Sequence, residues 1–146
     1  MVDFLSKSER SARMARIPSR DTVPELVLRK ELHALGLRFR LHGTQLPGRP
    51  DLVFRRYKTA VFVHGCFWHR HKGCNIATTP KSNLTFWQAK FDRNVVRDGR
   101  VRRELQDQGW LVLVAWECQL QSKVRATATA AALAAQIREN ERQTQF

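Results

Sequence analysis

Acidic residues are scarce in this chain: 13 Asp and Glu stand against 26 Lys and Arg, a formal net charge of +13. That imbalance predicts a polyanionic partner, most simply nucleic acid. An anionic membrane surface is the competing reading, but no stretch joins a basic helical face to a continuous aromatic one. Cysteine is sparse as well. Three thiols exclude a disulfide framework, and in a reducing compartment metal binding or plain burial is their expected use. Long apolar runs are missing too, since no segment approaches the roughly 18 residues needed to cross a bilayer. The first twenty residues carry Asp3, Lys7, Glu9, Arg10, Arg13, Arg16 and Arg20 in place of an apolar signal-peptide region. A cytoplasmic, membrane-free protein is expected. Its 146 residues, 42% of them hydrophobic, suit one domain spanning 1–146, with the charge spread along the chain.

What is abundant is concentrated in residues 61–74, Val-Phe-Val-His-Gly-Cys-Phe-Trp-His-Arg-His-Lys-Gly-Cys. Imidazole and thiolate bind transition metals and move protons near neutral pH, and adjacent Phe and Trp suit contact with flat partners such as bases. The elements around this stretch follow from pattern. Residues 6–17 are expected to form a short basic helix within an N-terminal arm (1–20), either contacting phosphates or presenting a solvated charged face. Thr22-Val-Pro-Glu25 has the form of a capping box, and Leu26, Leu28, Leu32 and Leu35 continue at helical spacing until Gly36, giving a helix over 22–35. Strands are expected at 37–42, 51–54 and 59–63, the last two forming a hairpin that sets Asp51 across from Phe62 or Val63, beside His64. A helix over 82–107, with Phe86 or Trp87, Phe91, Val95, Val101 and Leu105 inward, leads to a strand at 110–116 that is apolar enough to be covered on both faces. Joined through a helix, strands 59–63 and 110–116 should be parallel and end on one sheet edge. A C-terminal helix (roughly 124–141 within residues 122–146) turns Leu133 and Ile137 inward. The fold class is therefore α/β, with a central mixed sheet flanked by helices.

Three constellations carry chemistry. Cys66-x4-His71-x2-Cys74 with Cys118 supplies the Cys3His set of a closed tetrahedral zinc site, since the parallel crossover brings Cys118 towards Cys66; buried, unliganded cysteines are the alternative. His64 and His69 fall outside that set and, with Asp51, form a second site. Phosphodiester hydrolysis needs a hard cation, a carboxylate to hold it and a base to activate water. Asp51 with the Val63 carbonyl could hold that cation and a histidine could be the base, against the alternative of solvent-facing or phosphate-contacting imidazoles. Asp98 lies on the inward side of its helix, in a salt bridge or in the site. Phe67, Trp68 and Trp87 are either core or a wedge that unstacks base pairs.

Leu46-Pro-Gly-Arg-Pro-Asp51, Phe62-Val-His-Gly-Cys-Phe-Trp-His69, Phe86-Trp87 with Lys90 and Asn94, Arg97-Asp98 and Gly109-Trp-x-Val-Leu-x-x-Trp-Glu-Cys118 resemble the very short patch repair (Vsr) mismatch endonucleases of the restriction-endonuclease-like superfamily over about residues 10–120. The resemblance implies a three-layer nuclease that nicks double-stranded DNA 5′ of the T in a T·G mismatch left by 5-methylcytosine deamination. It implies Asp51 and the Val63 carbonyl as magnesium ligands, His69 as general base, and His64, Glu25 and Asp98 as supporting groups. Cys66, His71, Cys74 and Cys118 correspond to its structural zinc ligands, and Phe67, Trp68 and Trp87 to its intercalating aromatics. Phe62-Val-His64 stands where the wider superfamily has Glu-x-Lys. A monomer, with repair proteins as further partners, is expected. The competing class is a zinc-stabilised mismatch-binding protein without catalysis.

Overall fold

Leu28 and Leu32, one helical turn apart and both fully buried, set the inner line of helix α1 (Val23–Ala34). The computed structural model describes residues 21–144, so the basic helix expected at 6–17 lies outside the described residues. Thr22 caps α1 by accepting a hydrogen bond from the Glu25 N–H, and Pro24 occupies the first turn. Leu26 and Leu35 are exposed, contrary to expectation. Leu26 lies about 200° round the helix from Leu28, and Leu35 is already the C-cap. Gly36, at φ +87°, closes the helix by bonding its N–H to the His33 carbonyl while the Leu37 N–H bonds to that of Leu32.

Among the described residues four strands form one sheet, in the order β1-β2-β3-β4. The strand expected at 37–42 is reduced to β1 (Arg40–Leu41), antiparallel to β2 (Leu52–Phe54). Between them the Pro- and Gly-rich loop is pinched shut by bonds from the His42 and Gly43 N–H groups to the Asp51 and Pro50 carbonyls. Its Gly48, at φ +72°, has no room for a side chain: a Cβ there would sit 2.3 Å from Val101 Cγ1. The β2–β3 hairpin turns through a 3-10 segment (Arg55–Tyr57) and a left-handed Lys58 into β3 (Thr59–His64). Leu52 pairs with Val61, so the next step of the register brings Asp51 opposite Phe62.

Helix α2 (Leu84–Asp107) carries the chain across to β4 (Leu111–Trp116), which runs parallel to β3 with His64 beside Trp116. After a 3-10 turn (Glu117–Leu120), helix α3 (Lys123–Thr144) is the last described element. Side chains of β2, β3 and β4 alternate between two cores. Leu52, Phe54, Val61 and Ala115 meet Leu28 and Leu32 of α1 and Ala130, Leu133 and Ile137 of α3, while Ala60 and Val112 meet Val101 and Leu105 of α2. The result is a three-layer α/β arrangement. Two further expectations are corrected. Val95 is 49% exposed, because it falls between the α2 segment that packs on aromatic residues and the one that packs on the sheet. The apolar strand β4 is only partly covered, being the outer strand on its side.

Candidate active site and metal centre

Asp51 immediately precedes β2 and meets the far end of β3, where its Oδ2 accepts a 2.7 Å hydrogen bond from the Val63 N–H. Burial pushes its carboxyl up to about 6 against the pull of that N–H, and the neighbouring Glu25 carboxyl pushes in the same direction as burial. Glu25 is itself only 3% exposed. The capping-box reading has its side chain reaching the Thr22 N–H; instead Oε2 accepts from the Asp21 N–H at 2.9 Å and from Arg29 at 3.1 Å. Helix capping and site geometry therefore use the same residue. The two carboxyl groups crowd beside the Val63 main chain, and the hard oxygens not taken up by Arg29 and the Asp21 N–H fit a hard divalent cation.

One residue beyond Val63, His64 stacks its ring on that of His69 with centroids 3.9 Å apart. Burial, with repulsion from His69, lowers His64 to about 3, so its ring is neutral at physiological pH. His69 Nδ1 lies 2.6 Å from Asp98 Oδ2. Burial alone would raise Asp98, but the hydrogen bond and charge of His69 hold its carboxyl below the ordinary range. An ionised carboxylate can only accept, so Nδ1 carries the hydrogen and Nε2 is the nitrogen left to take a proton. Asp51, Val63, His64, His69 and Asp98 thus form one continuous run of contacts, with α2 delivering Asp98 from the far side of the sheet.

The thiols and His71 gather at the same edge. Cys66 and Cys118 each follow a paired strand residue by two positions, His64 and Trp116, and their Sγ atoms lie 3.6 and 3.5 Å from His71 Nδ1. With Cys74, all four donor atoms lie within 4.8 Å of one another. Burial pushes the Cys66 thiol up to about 12, whereas the Ile76 N–H holds Cys74 below its usual range. The His71 ring lies flat on Trp116 at 4.2 Å, and the Glu117 carboxylate accepts the Cys66 N–H at 3.2 Å. This cluster could hold a metal ion, and its sulfur and nitrogen donors suit a borderline-soft one.

Phe67 touches Trp68, Trp87 and Phe91 edge to face. Phe67 and Trp68 are half-buried, but Trp87 is 4% exposed and forms the floor of the group, while its neighbour Phe86 is 45% exposed. Asn94 donates to the Trp68 carbonyl and Lys90 lies over the Trp68 ring. Sequence reasoning did not single out Arg70. It donates to the carbonyls of Phe67, Ala77 and Thr78 and to the Thr79 hydroxyl, with its guanidinium 4.1 Å above Phe91. Its one sequence signal was an arginine at a loop centre surrounded by aromatics. Arg29 and His42 were missed too, although Arg29 stands at i+4 from Glu25.

Comparisons with known proteins agree with this arrangement. The family model described as DNA mismatch endonuclease Vsr matches residues 2–75. The chain is 42% identical over 127 residues to the DNA mismatch endonuclease Vsr of Escherichia coli, covering 87% of this chain and 81% of that protein. It is 47% identical over 120 residues to a type II nicking enzyme of Xanthomonas oryzae pv. oryzae (82% and 88% covered) and 44% identical over 123 residues to one of Neisseria meningitidis (84% and 87% covered). With a buried carboxylate, an Asp-bound histidine and a Cys/His cluster on one sheet edge, and with this similarity over most of its length, the chain belongs to the Vsr family of DNA mismatch endonucleases.

Proposed function

We propose that this protein nicks one strand of duplex DNA on the 5′ side of the T in a T·G mismatch, by magnesium-dependent hydrolysis with His69 as general base. The observation that carries the reading is the unbroken contact run from Asp51 through Val63, His64 and His69 to Asp98. Asp51 and the Val63 carbonyl would hold the ion, with Glu25 adjoining; when bound, it neutralises charge on the phosphate and the leaving oxygen. Asp98 fixes the His69 tautomer, so that Nε2 faces the attacking water and removes its proton. The stacked, neutral His64 limits rotation of the His69 ring and adds no competing charge.

The Cys66, His71, Cys74 and Cys118 cluster is read as a structural zinc site. Tetrahedral bonds of about 2.3 Å to sulfur and 2.0–2.1 Å to nitrogen require S···N separations of about 3.6 Å, which the 3.5 and 3.6 Å values match. All four positions are filled by protein, so this ion orders the loop and takes no part in hydrolysis. Phe67 and Trp68, raised on the Trp87 floor, enter the base stack where a T·G pair stacks weakly. Sheet and helix layers accord with the restriction-endonuclease-like architecture.

The test is a nicking assay on T·G and fully paired duplexes with magnesium, run beside a band shift. Asp51→Ala is expected to lose nicking but still shift the T·G duplex, and His69→Ala to slow nicking by about 10²–10⁴-fold. If the wild-type protein shifts the mismatched duplex and leaves both strands whole, it is a binding protein and the reading fails.

A further inference from the structure

Arg29 takes no part in the chemistry above, yet it sits at its edge. It follows Glu25 by one turn of α1, and its side chain is 14% exposed. A single terminal nitrogen reaches Asp21 Oδ1 at 2.7 Å, Glu25 Oε2 at 3.1 Å and His42 Nε2 at 3.4 Å. His42 Nε2 lies 3.1 Å from the same Asp21 oxygen. The residue before the Thr22 cap of α1, the helix itself and the residue after β1 therefore converge on one guanidinium. Its Nε is buried without a hydrogen-bond partner among the described residues, a loss of stability that a solvent-facing rotamer would avoid.

The carboxylates explain why the cation is held there. Asp51 and Glu25 crowd one another, and like charges in a buried space repel. Without a positive group on its outer side, Glu25 would turn away from Asp51. Asp21, Glu25 and His42 have donor atoms close enough to hold a metal, but the guanidinium already bridges all three. That cluster thus has a resident cation, and the oxygens that remain for a divalent ion are those facing Asp51.

We propose that Arg29 is a positioning residue of the nicking site: anchored by Asp21 and His42, it holds the Glu25 carboxylate against Asp51, so that a divalent cation meets two preset carboxylates. The proposal rests on the reading of Asp51 as a cation ligand. Groups that orient the ligands of a metal typically change its affinity about 10- to 100-fold when removed.

Mn2+ can be titrated into zinc-loaded, magnesium-free protein while the free ion is followed by its electron paramagnetic resonance signal. Arg29→Met, which keeps the length of the stem, is expected to weaken Mn2+ binding about 10- to 100-fold and to raise the magnesium needed for half-maximal nicking by a similar factor, with affinity for T·G duplex unchanged. Arg29→Lys, which keeps the charge on a shorter stem without the guanidinium, should recover part of the loss. A bystander cation behaves in the opposite way: removing it relieves repulsion and tightens Mn2+ binding. Unchanged or tighter binding in Arg29→Met overturns the proposal, as does wild-type affinity in Arg29→Lys should the Met variant not fold. Asp51→Ala separates the two failures. If Asp51→Ala loses Mn2+ and Arg29→Met keeps it, only the role of Arg29 is wrong. If Asp51→Ala binds Mn2+ normally, the ligand reading fails and the proposal falls with it.

Discussion

Burial and the Glu25 carboxyl lift Asp51 from 3.8 to about 6, which ties the residue to stability. For an acid whose folded pKa is raised, the favourable contribution is fully present below the unfolded value and is lost as pH climbs through the folded one. At pH 7.5 the magnesium-free protein therefore holds an ionised Asp51 at a cost on the order of 3 kcal/mol. Asp51→Asn removes that cost. Its melting temperature in magnesium-free buffer should exceed that of the wild type by several degrees at pH 7.5 and match it near pH 4, while nicking is lost. Equal melting temperatures at both pH values would mean that Asp51 ionises without strain. His64 contributes with the opposite dependence: burial holds its ring neutral down to about 3, so the stability it contributes is present above pH 6.5 and drains away as pH falls towards 3.

At the scale of elements, the loop from Gly65 to Pro80 has no helix or strand to hold it, and Arg70 and the Cys/His cluster do that work. The Cys66 thiol, pushed up to about 12 by burial, must release its proton when a metal binds, so metal affinity should fall steeply with acid. Cys118→Ser is expected to lose zinc by elemental analysis and to change the fluorescence of Trp116, whose ring lies on His71. Full zinc retention would exclude Cys118 as a ligand. Gly48 gives a second check. An Ala there collides with Val101 and must also hold φ +72°, so Gly48→Ala should destabilise by about 1–3 kcal/mol in denaturant unfolding. Much of this was readable beforehand. Apolar runs marked β3 and β4, and the parallel crossover between them was enough to bring Cys118 to Cys66. The partners of Glu25 were not readable. Thr22 to Glu25 has the same local pattern whether Glu25 closes a cap or faces a second carboxylate, and an i,i+4 Glu–Arg pair reads as an ordinary surface bridge. The arrival of His42 depends on a two-residue strand and a pinched loop, which no periodicity reports.

Across the whole molecule the proposed function gives the net charge of +13 and the aromatic cluster separable contributions to binding. Arg93, Arg97 and Arg100 are exposed at helical spacing on α2, the helix that supplies Asp98 to the site, and Lys90 continues the row towards Trp68. Side chains of this kind neutralise phosphates and release counterions, which raises affinity for any duplex and steepens its salt dependence by about 0.9 in log–log slope per contact. They carry no information about the base pair. In the proposed function Trp68 would act through stacking, worth about 1–3 kcal/mol per base and insensitive to salt to first order. Two variants should therefore move different observables in binding titrations across a range of salt. Arg97→Ala is expected to flatten the slope by about 1 and weaken T·G and fully paired duplexes alike. Trp68→Ala should leave the slope unchanged and reduce the preference for T·G about 5- to 150-fold. If Arg97→Ala instead lowered the T·G preference at constant slope, α2 would be reading the mismatch, and the division between a basic surface that holds the backbone and an aromatic wedge that tests the base stack would be wrong.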